Sequence, residues 1–211
     1  MLGLNNFSVR HAALILITVS VLAACSTPAV KPEVSPDSTS LNMLHLQQIA
    51  KLGNFSLRGR IGIQTNPKGF SGSLIWQHAN NKDEIALYSP LGSQVASIFS
   101  TPAQITLLDS NGKSYQAADA ETLTQDVLGW RLPLKGLSDW ALGRPSASPI
   151  EHSAWNTQGQ LILLKQDGWT IEFDNYQQQG SFTLPGKIYL KSTQLNLKLL
   201  VEKWQLPQSS L

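Results

Sequence analysis

Between Phe55 and Trp204 the chain repeats one pattern: apolar and polar residues alternate in short runs, and each run ends at a turn signal. Phe55, Leu57, Ile61 and Ile63 occupy one face of such a run, with Ser56, Arg58, Arg60 and Gln64 on the other. The alternation returns over residues 70–78, 84–89, 94–100 and 103–108, divided by Asn-Pro-Lys-Gly, Asn80-Asn81, Pro-Leu-Gly and Thr-Pro. A short run surrounds Tyr115, and five more cover about 153–156, 160–166, 169–176, 187–192 and 195–204. Asp167-Gly168 sits between two of these as a two-residue hairpin signal. Links this short join antiparallel neighbours, because a parallel crossover needs a dozen residues or more. The pattern therefore predicts a mainly β, α+β fold with about eleven antiparallel strands.

About three helices accompany them. Leu41, Leu44, Ile49 and Leu52 follow helical spacing between a capping Ser40 and a terminating Gly53. Asp119 is placed to cap a helix carrying Leu123, Val127 and Leu128 and closed by Gly129. Leu137, Trp140 and Ala141 share a face that ends at Gly143-Arg144-Pro145. Three helices cannot cover the outside of a large curved sheet, but they can cover its mouth. The apolar alternates include Leu74, Trp76, Ile85, Leu87, Val95, Phe99, Leu161, Leu163, Trp169, Ile171, Phe173, Leu197 and Leu199. In a small closed barrel such residues fill the interior; in a larger or open one they surround a cavity for an apolar ligand. Composition leaves both readings open, a packed interior being the simpler.

The amino terminus constrains location. One arginine, Arg10, precedes the apolar run Ala12–Ala24, which is too short to span a bilayer and has the form of a secretory signal. Val21-Leu22-Ala23-Ala24-Cys25 resembles a lipobox, the site at which a signal peptide is cut before a diacylglycerol-modified cysteine. Cys25 is the sole cysteine, so no intrachain disulfide, redox pair or cysteine-built zinc site is available. Serine follows it, which in lipoproteins of this kind resembles the outer-membrane address. Residues 1–24 are thus read as signal peptide and residues 25–40, with Pro28, Pro32 and Pro36 among Ser and Thr, as a flexible tether reaching roughly 45 Å at about 3.1 Å per residue. Residues 41–211 form one domain, with no core residue expected upstream.

Several function classes drop out. Sixteen Lys and Arg against fourteen Asp and Glu give a net charge of +2, too balanced for a nucleic-acid surface. No Walker loop, HExxH or G-x-S-x-G motif occurs. His45, His78 and His152 fall in a helix, a strand end and a loop without metal-ligand spacing, and Asp83-Glu84 and Asp139 offer no acid–base pair. The expectation is a non-enzyme without cofactor or metal.

Arg58-Gly59-Arg60-Ile61-Gly62-Ile63, Ser71-Gly72-Ser73-Leu74-Ile75-Trp76, Ser89-Pro90-Leu91-Gly92-Ser93, Leu132-Pro133-Leu134, Trp140-Ala141-Leu142-Gly143 and Gly168-Trp169-Thr170-Ile171 occur in an order that resembles the outer-membrane lipoprotein receptor family LolB. The resemblance, lipobox included, runs through nearly the whole chain. It implies an open barrel of eleven antiparallel strands with a helical lid around an apolar cavity. It also implies a lipid-anchored, periplasm-facing protein that accepts lipoproteins from the carrier LolA and inserts them into the outer membrane. The implied partners are LolA, the acyl chains of client lipoproteins and outer-membrane lipid, with the receptor a monomer. Leu57, Ile61, Leu74, Trp76, Leu87, Val95, Leu137, Trp140, Trp169, Ile171 and Leu197 are the expected cavity walls. Cys25 is the expected lipidation site. The turn at Pro90, Leu91 and Gly92 points its leucine away from the sheet, and the resemblance implies that this loop is the membrane-insertion loop. With no nucleotide motif, transfer must run downhill on affinity. The competing class is a structural or assembly-factor lipoprotein with a packed barrel that holds a protein partner. Arg58 and Arg60 are most simply the wet face of a strand.

Overall fold

The computed structural model describes residues 36–207, so Cys25 and the expected signal peptide lie outside the described residues. The strands are β1 (Phe55–Gln64), β2 (Gly69–Ala79), β3 (Lys82–Tyr88), β4 (Gln94–Ser100), β5 (Ile105–Asp109), β6 (Ser114–Ala117), β7 (Ile150–Trp155), β8 (Leu161–Gln166), β9 (Trp169–Gln179), β10 (Phe182–Lys191) and β11 (Asn196–Gln205). The helices are α1 (Pro36–Ala50), α2 (Ala120–Leu128) and α3 (Leu134–Ala141). All strands belong to one antiparallel sheet ordered β6-β5-β4-β3-β2-β1-β11-β10-β9-β8-β7. β6 and β7 are its two edges, so the barrel is open, and the segment joining them in sequence carries α2 and α3.

Alternation places one side chain in two on the concave face. Phe55, Leu57, Ile61 and Ile63 of β1 are buried, as are Leu74 and Trp76 of β2 and Leu197 and Leu199 of β11. They join α2 and α3 in one continuous core. Gly72 sits where a Cβ would lie 2.0 Å from the Tyr88 carbonyl oxygen, so only glycine lets the end of β3 close onto β2. At the Asp167-Gly168 turn both residues have positive φ (54° and 76°), the two-residue hairpin geometry expected of that pair. Asp119 caps α2 by accepting the Thr122 amide at 2.8 Å, and Gly129 closes it in the left-handed region at φ 89°.

Four expectations need correction. The helix begins at Pro36, not after Ser40, so the folded part takes in the last five residues assigned to the tether. Ser38 is buried and its hydroxyl accepts from Trp155 Nε1 at 3.3 Å, so contacts with the body exist upstream of residue 41. The helix also turns a different face inward. Ile49 and Leu52 are buried, but Leu41 and Leu44 are exposed, because Asn42 donates to the Gly159 carbonyl at 2.8 Å and fixes the rotation. Third, β4 buries Ala96 and Ile98 where Val95 and Phe99 were expected. Ala96 and Ile98 pair with the inward Leu87 and Ile85, which leaves Phe99, opposite Glu84, exposed, and a register shift at Leu87/Tyr88 leaves Val95 as the extra, half-buried residue. In β8, similarly, Leu164 pairs with the inward Ile171, and Leu163 is only half-buried.

Candidate functional site

The strand register sorts the turns into two groups at opposite ends of the sheet. One end carries the β1–β2, β3–β4, β5–β6, β8–β9 and β10–β11 connections; the other carries β2–β3, β4–β5, β7–β8 and β9–β10. A ten-residue strand such as β1 separates them by about 33 Å at most, at about 3.3 Å per residue. α1 crosses the second end, where Gln48 meets the Ser181 carbonyl and Arg144, just past α3, donates to the Ile49 and Leu52 carbonyls at 2.9 and 3.3 Å. Arg144 also pairs with Asp139 at 2.7 Å. Near this end Asp83 accepts from Trp76 Nε1 at 2.8 Å and lies 2.7 Å from His78 Nδ1. Burial among neutral groups holds the pKa of His45 below its ordinary value and pushes that of the Tyr176 phenol, which donates to the Leu161 carbonyl, well above its own. This end is sealed.

The first end is the mouth. The Ser89–Ser93 hairpin is closed by the Gly92 amide on Ser89 O at 2.9 Å and the Ser89 amide on Ser93 O at 2.8 Å. Pro90 presets the turn, Gly92 takes φ 85°, and Leu91 at the tip is 95% exposed. Exposure on a turn fixed by two backbone bonds and seated against Gly72 makes Leu91 a rigid projection. Beside it lies a cleft of about 590 Å³, between α2 and the β4–β6 side of the sheet, whose apolar lining is Phe70, Val95, Leu123, Val127, Leu128 and Trp130. Its volume is within the range of small-ligand pockets. A second, more polar depression of about 410 Å³ at the same end has Glu121, Arg131 and Trp169 on its walls.

Of the residues expected to wall a cavity, Leu57, Ile61, Leu74, Trp76, Leu87, Leu137, Trp140, Trp169, Ile171 and Leu197 all belong to the buried core facing α2 and α3. Val95 stands at the mouth cleft instead, displaced by the β4 register shift. Trp140 is 0% exposed, and its Nε1 donates to Gln166 at 2.9 Å. Gln166, itself fully buried, also accepts the Ser146 amide and donates to the carbonyls of Ser146 and Ser148. It thereby pins α3 and the following loop to β8. Neither Gln166 nor Trp130 emerged from the sequence. A glutamine at an inward strand position just before a hairpin, and a tryptophan directly after a helix-ending glycine, are the signals that could have found them. Arg58 and Arg60 are exposed on the outer face, Arg60 against Glu202 at 2.7 Å. Among the described residues no group of three His, Cys, Asp or Glu could hold a metal ion, and no helix is long and apolar enough to cross a membrane.

Comparison with known proteins gives a consistent picture. The family model described as outer membrane lipoprotein LolB matches residues 53–204. The outer-membrane lipoprotein LolB of Nitrosomonas europaea is 34% identical over 189 residues, covering 88% of each chain. That of Nitrosococcus oceani is 31% identical over 195 residues, covering 92% of this chain and 96% of its own. Among solved structures, a LolA superfamily protein from Nitrosomonas europaea superposes with a TM-score of 0.50 at 8% identity, over 78% of this chain and 93% of its own, a likeness of fold alone.

Proposed function

The chain belongs to the outer-membrane lipoprotein LolB family, a family of lipoprotein-localisation factors and not of enzymes, and from that premise we propose how it moves its clients. It is a lipid-anchored outer-membrane protein. Modification of Cys25 supplies the anchor, and the chain after it holds the domain at the bilayer, facing the periplasm. Lipoproteins arrive from the carrier LolA, their acyl chains shelter between the concave sheet and α2–α3, and they leave into the outer membrane without nucleotide hydrolysis.

The driving force is differential burial. Each methylene removed from water is worth about 0.8 kcal/mol, so sheltering on the order of ten gives roughly 8 kcal/mol before ordering losses. That makes escape into water slow and escape into a bilayer easy. The single observation that carries the reading is Leu91: one large aliphatic side chain held out on a rigid turn beside an apolar cleft. Its insertion is worth about 1.5–3 kcal/mol, too little to anchor a protein but enough to orient a tethered one. Leu91→Glu is expected to leave folding and acceptance from LolA nearly intact while slowing delivery several-fold. Reconstituted transfer to liposomes, run beside carrier-to-receptor transfer in solution, checks this; equal loss of both steps, or of neither, contradicts it.

The dense burial of Leu57, Trp76, Leu87, Trp140 and Ile171 favours one other reading, a packed barrel that holds a protein partner on its surface. Acyl chains recovered from protein purified from its membrane separate the two: the receptor contains them and the packed barrel does not.

A further inference from the structure

Trp130 follows the glycine that ends α2 and stacks on Phe70, with ring centroids 5.2 Å apart and planes inclined by 22°. Together the two rings form part of the wall of the mouth cleft. The indole is 8% exposed, and its Nε1–H is buried without an acceptor. A donor left bare in an apolar wall is unfavourable, and an acceptor that settled into the wall beside the ring would relieve it. Among the described residues two other buried ring nitrogens are unpaired, but they sit at the sealed end among aromatic rings, Trp204 against Phe55 at 5.6 Å and His45 against Tyr176 at 6.1 Å.

The remaining polar groups of the cleft restrict the acceptor. Asp109 and Asp126 stand on its walls, Ser110 and Gln116 are exposed to solvent at its rim, and the Tyr115 hydroxyl is already given to Asp109 at 3.2 Å. Two carboxylates disfavour an anion such as a free fatty acid. An apolar lining with one hidden donor suits a long hydrocarbon chain ending in a neutral carbonyl. Building on the acyl-acceptor reading above, we infer that the mouth cleft is the head subsite of the acyl site, where Trp130 Nε1–H donates to an ester or amide carbonyl at the glyceryl-cysteine end of the client lipid. This group distinguishes a lipoprotein's acyl chains from bare hydrocarbon, and it places the client's head beside Leu91, on the side from which it would leave.

The test uses the full chain in nanodiscs of ether-linked phospholipid, so that the membrane itself offers no ester carbonyl. Two probes are titrated, a dioctanoylglyceryl-cysteine peptide and its dioctyl ether twin. The ester is expected to bind the unaltered protein about tenfold more tightly than the ether, the equivalent of one recovered donor. Trp130→Phe, which keeps the stack on Phe70, is expected to bind both like the ether. The Trp130 indole N–H resonance should move downfield with the ester and stay in place with the ether. Equal affinity for both probes in the unaltered protein, or an ester preference that survives in Trp130→Phe, overturns the carbonyl subsite while leaving acyl binding intact. Failure of both probes to bind overturns the acyl-acceptor reading as well. A melting curve of Trp130→Phe within a few degrees of the unaltered protein shows that its affinities belong to the folded domain.

Discussion

The two ends of the barrel solve the same problem differently. Both are rims of strand ends and turns, where backbone groups leave the sheet and must find partners. At the α1 end they are found within the chain. Arg144 reaches the Ile49 and Leu52 carbonyls, Asn42 takes the Gly159 carbonyl, and Asp83 collects Trp76 and His78. At the mouth the turns close on themselves, leaving an aliphatic tip at Leu91 and an apolar cleft with an unpaired indole, Trp130, on its wall, whereas the unpaired Trp204 and His45 nitrogens at the α1 end lie among aromatic rings. The difference separates a rim built for stability from one that leaves affinity unspent. Helices α2 and α3 connect the two, since α2 ends against Lys68 at the mouth and α3 leads into Arg144 at the seal.

Substitutions away from the mouth should therefore show in stability and those at the mouth in transfer. The largest expected effect is Trp140→Ser. Removing a fully buried indole and one of the four hydrogen bonds of Gln166 should lower unfolding free energy by about 3–5 kcal/mol in denaturant titrations. Near-native stability with lost acyl affinity would instead make the centre of the barrel a pocket already open in the unliganded protein. Arg144→Ala comes next, at about 2 kcal/mol, because it strands the Leu52 carbonyl and the Asp139 carboxylate and leaves the Ile49 carbonyl only the Leu52 amide, and it should leave Leu91-dependent delivery unchanged.

How far these residues were legible in the sequence follows from the range of the interactions that place them. The caps at Asp119 and Gly129 and the Asp167-Gly168 hairpin are local: residue type alone demands their backbone geometry, and the sequence predicts them. The exposed Leu91 is similarly local, a consequence of Pro90 and Gly92. The rotation of α1 is not, since a bond from Asn42 to a residue 117 positions away decides which face is buried. The inward set of β4 depends on its pairing with β3, Ala96 against Leu87 and Ile98 against Ile85, and the unbroken apolar run Leu161-Ile162-Leu163-Leu164 in β8 carries no period to read. Gln166 and Trp130 matter through partners, present or missing, that only the folded chain defines.

Smaller effects sharpen the contrast. Asp119→Ala should destabilise the domain by about 1 kcal/mol through loss of the α2 cap, visible as a lowered midpoint in urea. The smallest concerns His45 at the sealed end, whose pKa burial lowers in the folded state. As pH falls below about 6.5 the unfolded chain takes up a proton that the folded chain resists, so stability should decline with a shallow slope. His45→Leu should flatten that slope between pH 7 and 5, as read from denaturation midpoints at each pH.

The most direct measurement compares the rims themselves at a membrane. A polarity-sensitive dye is attached to the full chain through Leu91→Cys at the mouth or Thr157→Cys at the sealed end, and its emission is followed in outer-membrane-like liposomes. A blue shift and quenching by lipid-borne quenchers at position 91, with neither at position 157, is the predicted result; the reverse pattern, or equal response at both, would contradict the assignment of the mouth as the membrane-facing end.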